Sequence, residues 1–320
     1  MIDLGYLARY RILPDRRWQR VVAATFMPIE AATRTRLVLH DFAAPVAPVL
    51  YASNSSQKYD FLTFRSAMWA RDLPIATITK AKNYHVAWMR PVMEHTAVVP
   101  LASKGYVILR DATATLGRRP TEDEYRSLRD HLDRDEALPD TAAFLTLRTR
   151  PRDILGRPFD PATTYLRAAW QGVYGALLGE ALRLCREAIA GGHSIHIYPE
   201  GTVSSRLGRG RIGAMMFAQA LGIPVVPVGI SGAREAFHGG TPLLRGGTID
   251  FRFGPAYTPD LSALPADFRA FDPAHERRDR DVLQRATDDL MDRINGLLAP
   301  DYQRRDDHVP DGTRGTKRFL

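Results

Sequence analysis

The residue types most suited to chemistry lie in the short run His196–Thr202, which reads His-Ile-Tyr-Pro-Glu-Gly-Thr. Alternating apolar and polar residues lead into it and predict a strand, which the proline ends and the glycine turns. The run therefore places one carboxylate, Glu200, and one hydroxyl, Thr202, at a strand tip. A basic loop follows, whose guanidinium groups suit a polar ligand that carries phosphate; they belong to Arg206, Arg209 and Arg211.

Three other predicted strand ends carry polar residues or a guanidinium. Segment Asn54–Asp60 follows a predicted strand at 49–52 and precedes a helix, for which Asp60 could be the N-cap. Segment 105–110 is predicted as a strand that ends in a guanidinium, and 225–229 as part of a buried strand. Ligands of open α/β sheets bind where strands end at their carboxyl edge, so these junctions together indicate one site.

Amphipathic spacing predicts long helices at about 15–36, 163–190 and 279–298. Pro28 predicts a kink or break in the first of them. That helix either docks on the core or lies on an anionic membrane surface, because arginines load its first turns and apolar residues follow.

The charged segment 111–160 is interpreted as a surface excursion, and a capping box at Thr121–Glu124 predicts a helix within it. The chain beyond Pro300 is polar and is expected to be mobile. The predicted units are an N-terminal helical segment (1–35), an α/β domain (36–260) and a C-terminal helix with a tail (261–320).

Charge and cysteine content narrow the class of protein. The chain has 320 residues and a net charge of +8, which favours anionic partners such as phosphorylated molecules or acidic lipid surfaces. Cys185 is the only cysteine, which excludes an internal disulfide and fits a reducing compartment. We see no signal-peptide pattern and expect a cytoplasmic location. The uncharged stretch 212–233 could span a membrane, but Gly222–Pro224 divides it into a predicted helix and strand.

Other motifs give weak signals. Gly208–Gly213 matches G-x-G-x-x-G, but a loop separates it from the strand and no acidic residue ends the next strand. His193 and His196 would point to opposite faces of a strand, which makes them poor co-ligands of a metal. Aromatic residues are not interleaved with the basic ones, so no nucleic acid is expected. The sequence therefore predicts no metal and no organic cofactor.

Taken in order, these blocks resemble the glycerophospholipid acyltransferases of the lysophosphatidic acid acyltransferase type. That family carries N-H-x4-D, G-x4-R, F-P-E-G-T and V-P-V blocks. Here Gly105 and Arg110 match the second, Tyr198–Thr202 the third with Tyr for Phe, and Val226–Val228 the fourth.

The resemblance implies an α/β fold with a mixed, largely parallel central sheet flanked by helices. It implies transfer of a fatty acyl group from acyl-CoA or acyl carrier protein to a lysophospholipid-like acceptor, at a peripheral membrane surface. It also implies an acceptor site, with Arg110 near the phosphate and Arg206 as a further cation; its other members are Asn54, Gly105, Glu200, Gly201 and Thr202.

The first block departs from the family at its most important position. Ser55 stands five residues before Asp60, where the family has the histidine that takes the proton from the acceptor hydroxyl. By resemblance, Asp60 would orient the side chain at position 55. A serine hydroxyl is too weak a base near neutral pH to replace an imidazole unaided. Val203 also stands where the family often has arginine, a charge that the basic loop could supply.

Several hypotheses therefore stay open. The chain could be an acyltransferase in which another base, such as His85 or His95, or the positioning of the acceptor alone replaces the histidine. It could instead be an inactive family member that binds phospholipid or an acyl carrier, and Ser55 could be an inactivating substitution in a histidine-bearing parent. In the last hypothesis, Ser55 itself accepts the acyl group covalently, although no base is evident for it.

Overall fold

A computed structural model describes residues 1–12, 17–86 and 89–305. Within these residues a seven-stranded sheet forms the centre, and a small two-stranded ribbon lies apart from it. In chain order, the strands are β1 (Thr35–His40), β2 (Leu50–Ser53), β3 (Ile75–Lys80), β4 (Val98–Leu101), β5 (Arg152–Asp153), β6 (Pro158–Phe159), β7 (Ser194–Ile197), β8 (Val225–Ser231) and β9 (Gly247–Phe253).

The helices differ greatly in length, and a short 3-10 helix covers Ala81–His85. In chain order, the α-helices are α1 (Leu4–Arg9), α2 (Arg17–Ala32), α3 (Asp60–Trp69), α4 (Met89–His95), α5 (Lys104–Leu116), α6 (Glu122–Arg134), α7 (Ala142–Thr149), α8 (Leu166–Ala190), α9 (Gly213–Leu221), α10 (Ala233–Ala236), α11 (Pro273–Arg278) and α12 (Arg280–Leu297).

The strand order in the large sheet is β1-β9-β8-β2-β7-β3-β4. Strands β8, β2, β7, β3 and β4 run parallel, whereas β9 is antiparallel to β8 and parallel to β1. The predicted α/β fold with a mixed, largely parallel sheet is therefore confirmed. The parallel strands end at one edge, which brings the loops after β2, β7 and β8 together.

Strands β2, β7 and β8 are buried at every residue, as expected for a sheet with helices on both faces. Helix α3 packs on β3 and on α2, while α8 packs on β7 and β4, and α12 on β8. The stretch 212–233 forms α9 and β8, joined through Gly222 in the left-handed conformation (φ 63°). Among the described helices, none is long and apolar enough to cross a bilayer.

The predicted strand at 105–110 is wrong, because these residues lie in helix α5. Ser103 caps the helix by accepting a hydrogen bond from the Tyr106 N–H, and Gly117 ends it with φ 68°. The strands in this part of the sheet are β3 and β4 instead, which the sequence patterns did not predict. Arg110 therefore lies on a helix and not at a strand end.

Segment 111–160 is more than the predicted surface excursion. Its helices α6 and α7 bury Tyr125, Leu128 and Phe144 against the core. Arg152 of β5 makes a bidentate ion pair with Asp111 of α5, which links the segment to the rest of the domain. The predicted capping box of α6 is confirmed.

The chain ends pack more closely than predicted. Ile2 and Leu7 are 1% and 0% exposed, so residues before α2 belong to the core. Helix α2 continues through Pro28 without a break, and the predicted helix start at Asp15 lies outside the described residues. Tyr302 is 4% exposed and its carbonyl accepts the Leu207 N–H, so this residue holds the chain to the domain, whereas Asp301, Arg304 and Arg305 are exposed; residues 306–320 of the predicted mobile tail lie outside the described residues.

Candidate functional site

Two of the predicted polar junctions meet at the carboxyl edge of the sheet. β2 lies between β7 and β8, so the loop 54–60 after β2 lies next to the loop 198–210 after β7. The predicted junction at 225–229 lies inside β8, which continues to Ser231. The candidate site is therefore formed by the loops after β2 and β7.

Ser55 is held at both of its backbone polar groups by the loop after β7. Its N–H donates to Glu200 Oε2 at 3.0 Å, and its carbonyl accepts the Ser204 N–H at 2.9 Å. Ser55 is 7% exposed and Ser204 is 3% exposed. These two backbone hydrogen bonds fix the position of residue 55, whose small side chain offers little packing of its own.

Glu200 is a buried carboxylate with both oxygens occupied. In addition to the Ser55 N–H, it accepts the Gly208 N–H at 2.8 Å through Oε1. Gly201 follows with φ 62°, a left-handed conformation that glycine adopts without strain and that turns the chain. Burial raises the pKa of Glu200 to about 7, and the nearby Asp60 carboxylate raises it further against the effect of these N–H donors. Glu200 thus acts as a brace between two loops.

Asp60 is the second buried carboxylate of the site and is 1% exposed. Its Oδ2 accepts the N–H groups of Ser56 and Gln57 at 3.1 and 3.3 Å. Burial raises the pKa of Asp60 to about 7, although the Tyr198 and Ser55 hydroxyls and these N–H groups favour the charged form. In the described part of the chain, no lysine, arginine or histidine makes an ion pair with it.

The histidine of the run 196–202 is neutral and lies within β7. His196 of β7 is fully buried, and its Nε2 lies 2.9 Å from the Ser53 hydroxyl. The ring packs on Phe64 of α3 with centroids 4.1 Å apart, and burial lowers the pKa of His196 to about 3. His193 pairs with Gln19 of α2. The described residues contain no cluster of side chains that could hold a metal ion.

Two predicted acceptor ligands are engaged elsewhere. Asn54 accepts the Ile230 N–H at 2.7 Å and donates to the Ile230 carbonyl at 2.9 Å, so it ties the end of β2 to β8. Arg206 donates to the carbonyls of Pro300 and Gln303 at 3.2 and 3.3 Å. Both side chains bind the protein's own backbone in this structure, and their role as acceptor ligands stays a prediction.

The second block makes its described contacts outside this site. Arg110 lies over the Tyr106 ring, 5.5 Å from its centroid; burial, and next the charge of Arg110, lowers the pKa of His85 to about 4. Among the described contacts, none joins Arg110 or Gly105 to Ser55, Asp60 or the loop after β7. His85 lies 3.3 Å from the Tyr106 hydroxyl, and His95 contacts the Pro91 carbonyl at the end of α4, so neither candidate base meets Ser55.

The sequence reasoning missed two cations near the edge. Lys58 follows β2 and is exposed, and Lys82 follows β3 and is half-buried. Burial lowers the pKa of Lys82, and the charge of Lys58 lowers it further, so the two ammonium groups are close. The available signal was a lysine after each of two strands, but β3 itself was not predicted.

Thr202 is 8% exposed in the loop after β7, and Arg211 donates to the Glu200 backbone carbonyl at 3.0 Å.

Comparison with protein families gives a match for part of this region. The family model described as Acyltransferase matches residues 178–231, from within α8 to the end of β8. This segment contains the run 196–202 and the block Val226–Val228. The match agrees with the acyltransferase resemblance for these two blocks of the chain. Residues 54–60 and 105–110 lie outside the match.

Comparison with solved structures finds a distant likeness. The 1-acyl-sn-glycerophosphate (LPA) acyltransferase PlsC from Thermotoga maritima is 12% identical to this chain, with a TM-score of 0.43. The likeness covers 85% of this chain and 79% of that one. At this identity and score it assigns no role to any residue here. No curated protein matches the sequence.

Proposed function

We propose that the protein transfers a fatty acyl group from an acyl thioester to the hydroxyl of a lysophospholipid-like acceptor, at the edge formed by the loops after β2 and β7. The observation that supports this most is the fixed position of Ser55, bound at its N–H by Glu200 and at its carbonyl by Ser204. The bracing loop belongs to the segment that matches the acyltransferase family. A rigid, polar strand-end site suits a reaction that depends on orientation of two substrates.

We further propose that Lys58 and Lys82 bind the phosphate of the acceptor. They stand at the same sheet edge as Ser55, and no carboxylate is paired with either among the described contacts. Two ammonium groups held close together repel each other, and an anion between them relieves that repulsion. In this proposal they take the role that the resemblance gave to Arg110.

Thiol release tests the function. The protein is incubated with acyl-CoA or with acyl carrier protein as donor, with and without lysophosphatidic acid, and the acylated product is identified by mass spectrometry. Glu200→Ala removes the acceptor of two backbone N–H groups, so residue 55 shifts, and acceptor-dependent release should fall about 100-fold. Glu136→Ala, at a side chain that is 54% exposed, is the control and should leave release unchanged.

The competing hypothesis is a protein that binds phospholipid or acyl carrier without turnover. It is favoured by the serine at position 55 and predicts no thiol release with any donor. It also predicts lysophosphatidic acid binding, measured by calorimetry, that weakens in Lys58→Ala and Lys82→Ala. Release that requires the acceptor and is lost in Glu200→Ala would rule it out.

We also propose that α2 lies on an anionic membrane surface. Trp18, Val21, Met27 and Ile29 are each about half exposed, and the exposed residues of α2 include arginines but no carboxylate. The protein should float with vesicles that contain anionic lipid, and Trp18→Ala with Val21→Ala should reduce the floating fraction. Leu145→Ala, at a 54% exposed leucine of α7, is the matched control. Equal recovery with neutral vesicles would contradict the proposal.

A further inference from the structure

The two buried carboxylates of the site differ in how many of their oxygens are in use. Glu200 accepts one backbone N–H at each oxygen, from Gly208 and from Ser55. Asp60 accepts both of its backbone N–H groups, from Ser56 and Gln57, at Oδ2. Its Oδ1 receives none among the described contacts. Asp60 is therefore the carboxylate with an oxygen that no backbone N–H occupies, and the Tyr198 and Ser55 hydroxyls lie beside this carboxylate.

The exposed fractions of Asp60 and Ser55 indicate which of the two a substrate can contact. Asp60 is 1% exposed, which leaves no room for direct contact with an acceptor. The Ser55 hydroxyl lies beside the Asp60 carboxyl group, and Ser55 is the more exposed of the two at 7%. Since the Ser55 backbone is fixed at both polar groups, its hydroxyl stays within reach of the Asp60 carboxyl group.

We propose that Asp60 is the proton acceptor of the reaction and that the Ser55 hydroxyl relays the proton to it. This inference rests on the proposed acyl transfer and names the base for it. It explains how a chain without histidine at position 55 can activate an alcohol. A serine hydroxyl is a weak base alone, but it can transfer a proton to a carboxylate that is hydrogen-bonded to it. In this role Ser55 touches the acceptor and Asp60 acts through it.

The proposed step forms one C–O bond, breaks one C–S bond and moves the acceptor's proton to the leaving thiol. The acceptor oxygen forms a bond to the thioester carbonyl carbon, its proton moves to Ser55 Oγ, and the Ser55 proton moves to the Asp60 carboxylate. The tetrahedral intermediate then breaks its C–S bond. The thiolate leaves and takes a proton returned from Asp60 through Ser55, which regenerates both side chains.

The charges around Asp60 suit this exchange. Tyr198 faces it from the end of β7, Glu200 from the loop after β7, and no cation pairs with it in the described residues. Arg65, one turn further along α3, interacts with the phenols of Tyr84, Tyr10 and Tyr198. Burial therefore dominates and brings the pKa of Asp60 to about 7. A base must be unprotonated, so kcat should rise as the pH rises through this value.

Three variants test the relay by kcat, KM and pH profile in the thiol-release assay. Asp60→Asn keeps an acceptor oxygen for the Ser56 and Gln57 N–H groups but cannot take a proton. It should lower kcat at least about 100-fold and abolish the rise of kcat near neutral pH. Ser55→Ala should lower kcat with KM unchanged, and Ser55→Thr, which restores a hydroxyl, should recover most of it. Asp123→Asn, at a 91% exposed side chain, is the control.

Three results would overturn the inference. They are an Asp60→Asn protein with the kcat and pH profile of the parent, equal kcat in Ser55→Ala and Ser55→Thr, and an acyl adduct on Ser55 during turnover, which would make Ser55 the nucleophile. If Asp60→Asn does not fold, the comparison of Ser55→Ala with Ser55→Thr decides. Absence of thiol release from the parent protein at every pH would instead refute the proposed function, and the relay with it.

Discussion

Two buried aspartates of this protein have opposite electrostatic surroundings. Asp111 on α5 accepts two charge-assisted hydrogen bonds from Arg152, at 2.7 and 2.6 Å, and one from Trp170 Nε1 at 2.7 Å. Asp60 at the start of α3 accepts hydrogen bonds from backbone N–H groups and hydroxyls, and its charged neighbour is the Glu200 carboxylate. Both side chains are almost completely buried, so the difference lies in the partners and not in the degree of exposure.

The difference separates a buried carboxylate that an ion pair neutralises from one that has no such pair among the described residues. Arg152 reaches Asp111 from β5 and also donates to the carbonyl of Leu147, so its guanidinium links three parts of the segment 104–153. A paired carboxylate of this kind holds its charge and gives a fixed geometry. An unpaired buried carboxylate changes its protonation state near neutral pH, which is the property that a proton acceptor needs.

The largest effect that sharpens this comparison should come from Asp111→Asn. The variant leaves the Arg152 guanidinium buried beside a neutral amide, so the free energy of unfolding should fall by about 3–5 kcal/mol. Urea unfolding followed by circular dichroism measures it. Asp140→Asn removes the exposed ion pair with Arg148 and should cost less than about 1 kcal/mol. A loss of similar size in both variants would mean that the Asp111 pair is no stronger than a surface pair.

Asp60→Asn should change the free energy of unfolding in the opposite direction and by a smaller amount. The pKa of Asp60 is raised from 3.8 in the unfolded chain to about 7 in the folded protein. The folded state therefore binds the proton more tightly, and the stability that this gives is lost as the pH rises through about 7. Replacing the carboxylate should raise the free energy of unfolding at about pH 8 on the order of 2 kcal/mol, since the charged form no longer has to be buried.

The pH dependence is the decisive part of this second prediction. At about pH 5 the folded protein already holds Asp60 protonated, so the gain from Asp60→Asn should be much smaller there. Urea titrations at both pH values measure the difference. A variant that is destabilised equally at both would show that Asp60 is held ionised, as a paired aspartate is, and the contrast with Asp111 would disappear.

Local patterns were sufficient to predict the run 196–202 and the helix and strand that follow it. Proline, glycine and apolar alternation are properties of neighbouring residues, and they mark a strand end without any knowledge of the tertiary structure. The run Gly105–Arg110 shows the limit of this reasoning, because a short apolar run fits a strand and a buried helix equally well. The caps Ser103 and Gly117 distinguish the two, and both are visible in the sequence.

The partners of the candidate site residues could not be predicted in the same way. Asn54 contacts Ile230, and Ser55 contacts Glu200, across large separations that depend on the order of strands in the sheet. The same holds for Asp111 and Arg152, which lie 41 residues apart. Strands β3 and β4 were not predicted from the sequence. The position of Lys82 at the carboxyl edge of the sheet therefore could not be predicted either.

The smallest effect in the comparison concerns two buried threonines. The Thr77 hydroxyl on β3 lies in the layer of His196 without a hydrogen-bond partner in the structure, whereas the Thr115 hydroxyl donates to the Asp111 carbonyl at 2.8 Å. Valine has the same shape without the hydroxyl. Thr115→Val should therefore cost about 1 kcal/mol of unfolding free energy, and Thr77→Val should cost nothing or stabilise by a similar amount. Urea unfolding of the two variants at one pH makes the comparison, and each serves as control for the other. If Thr77→Val costs as much as Thr115→Val, the Thr77 hydroxyl is hydrogen-bonded in solution, and its surroundings beside His196 are as fully satisfied as those of Asp111.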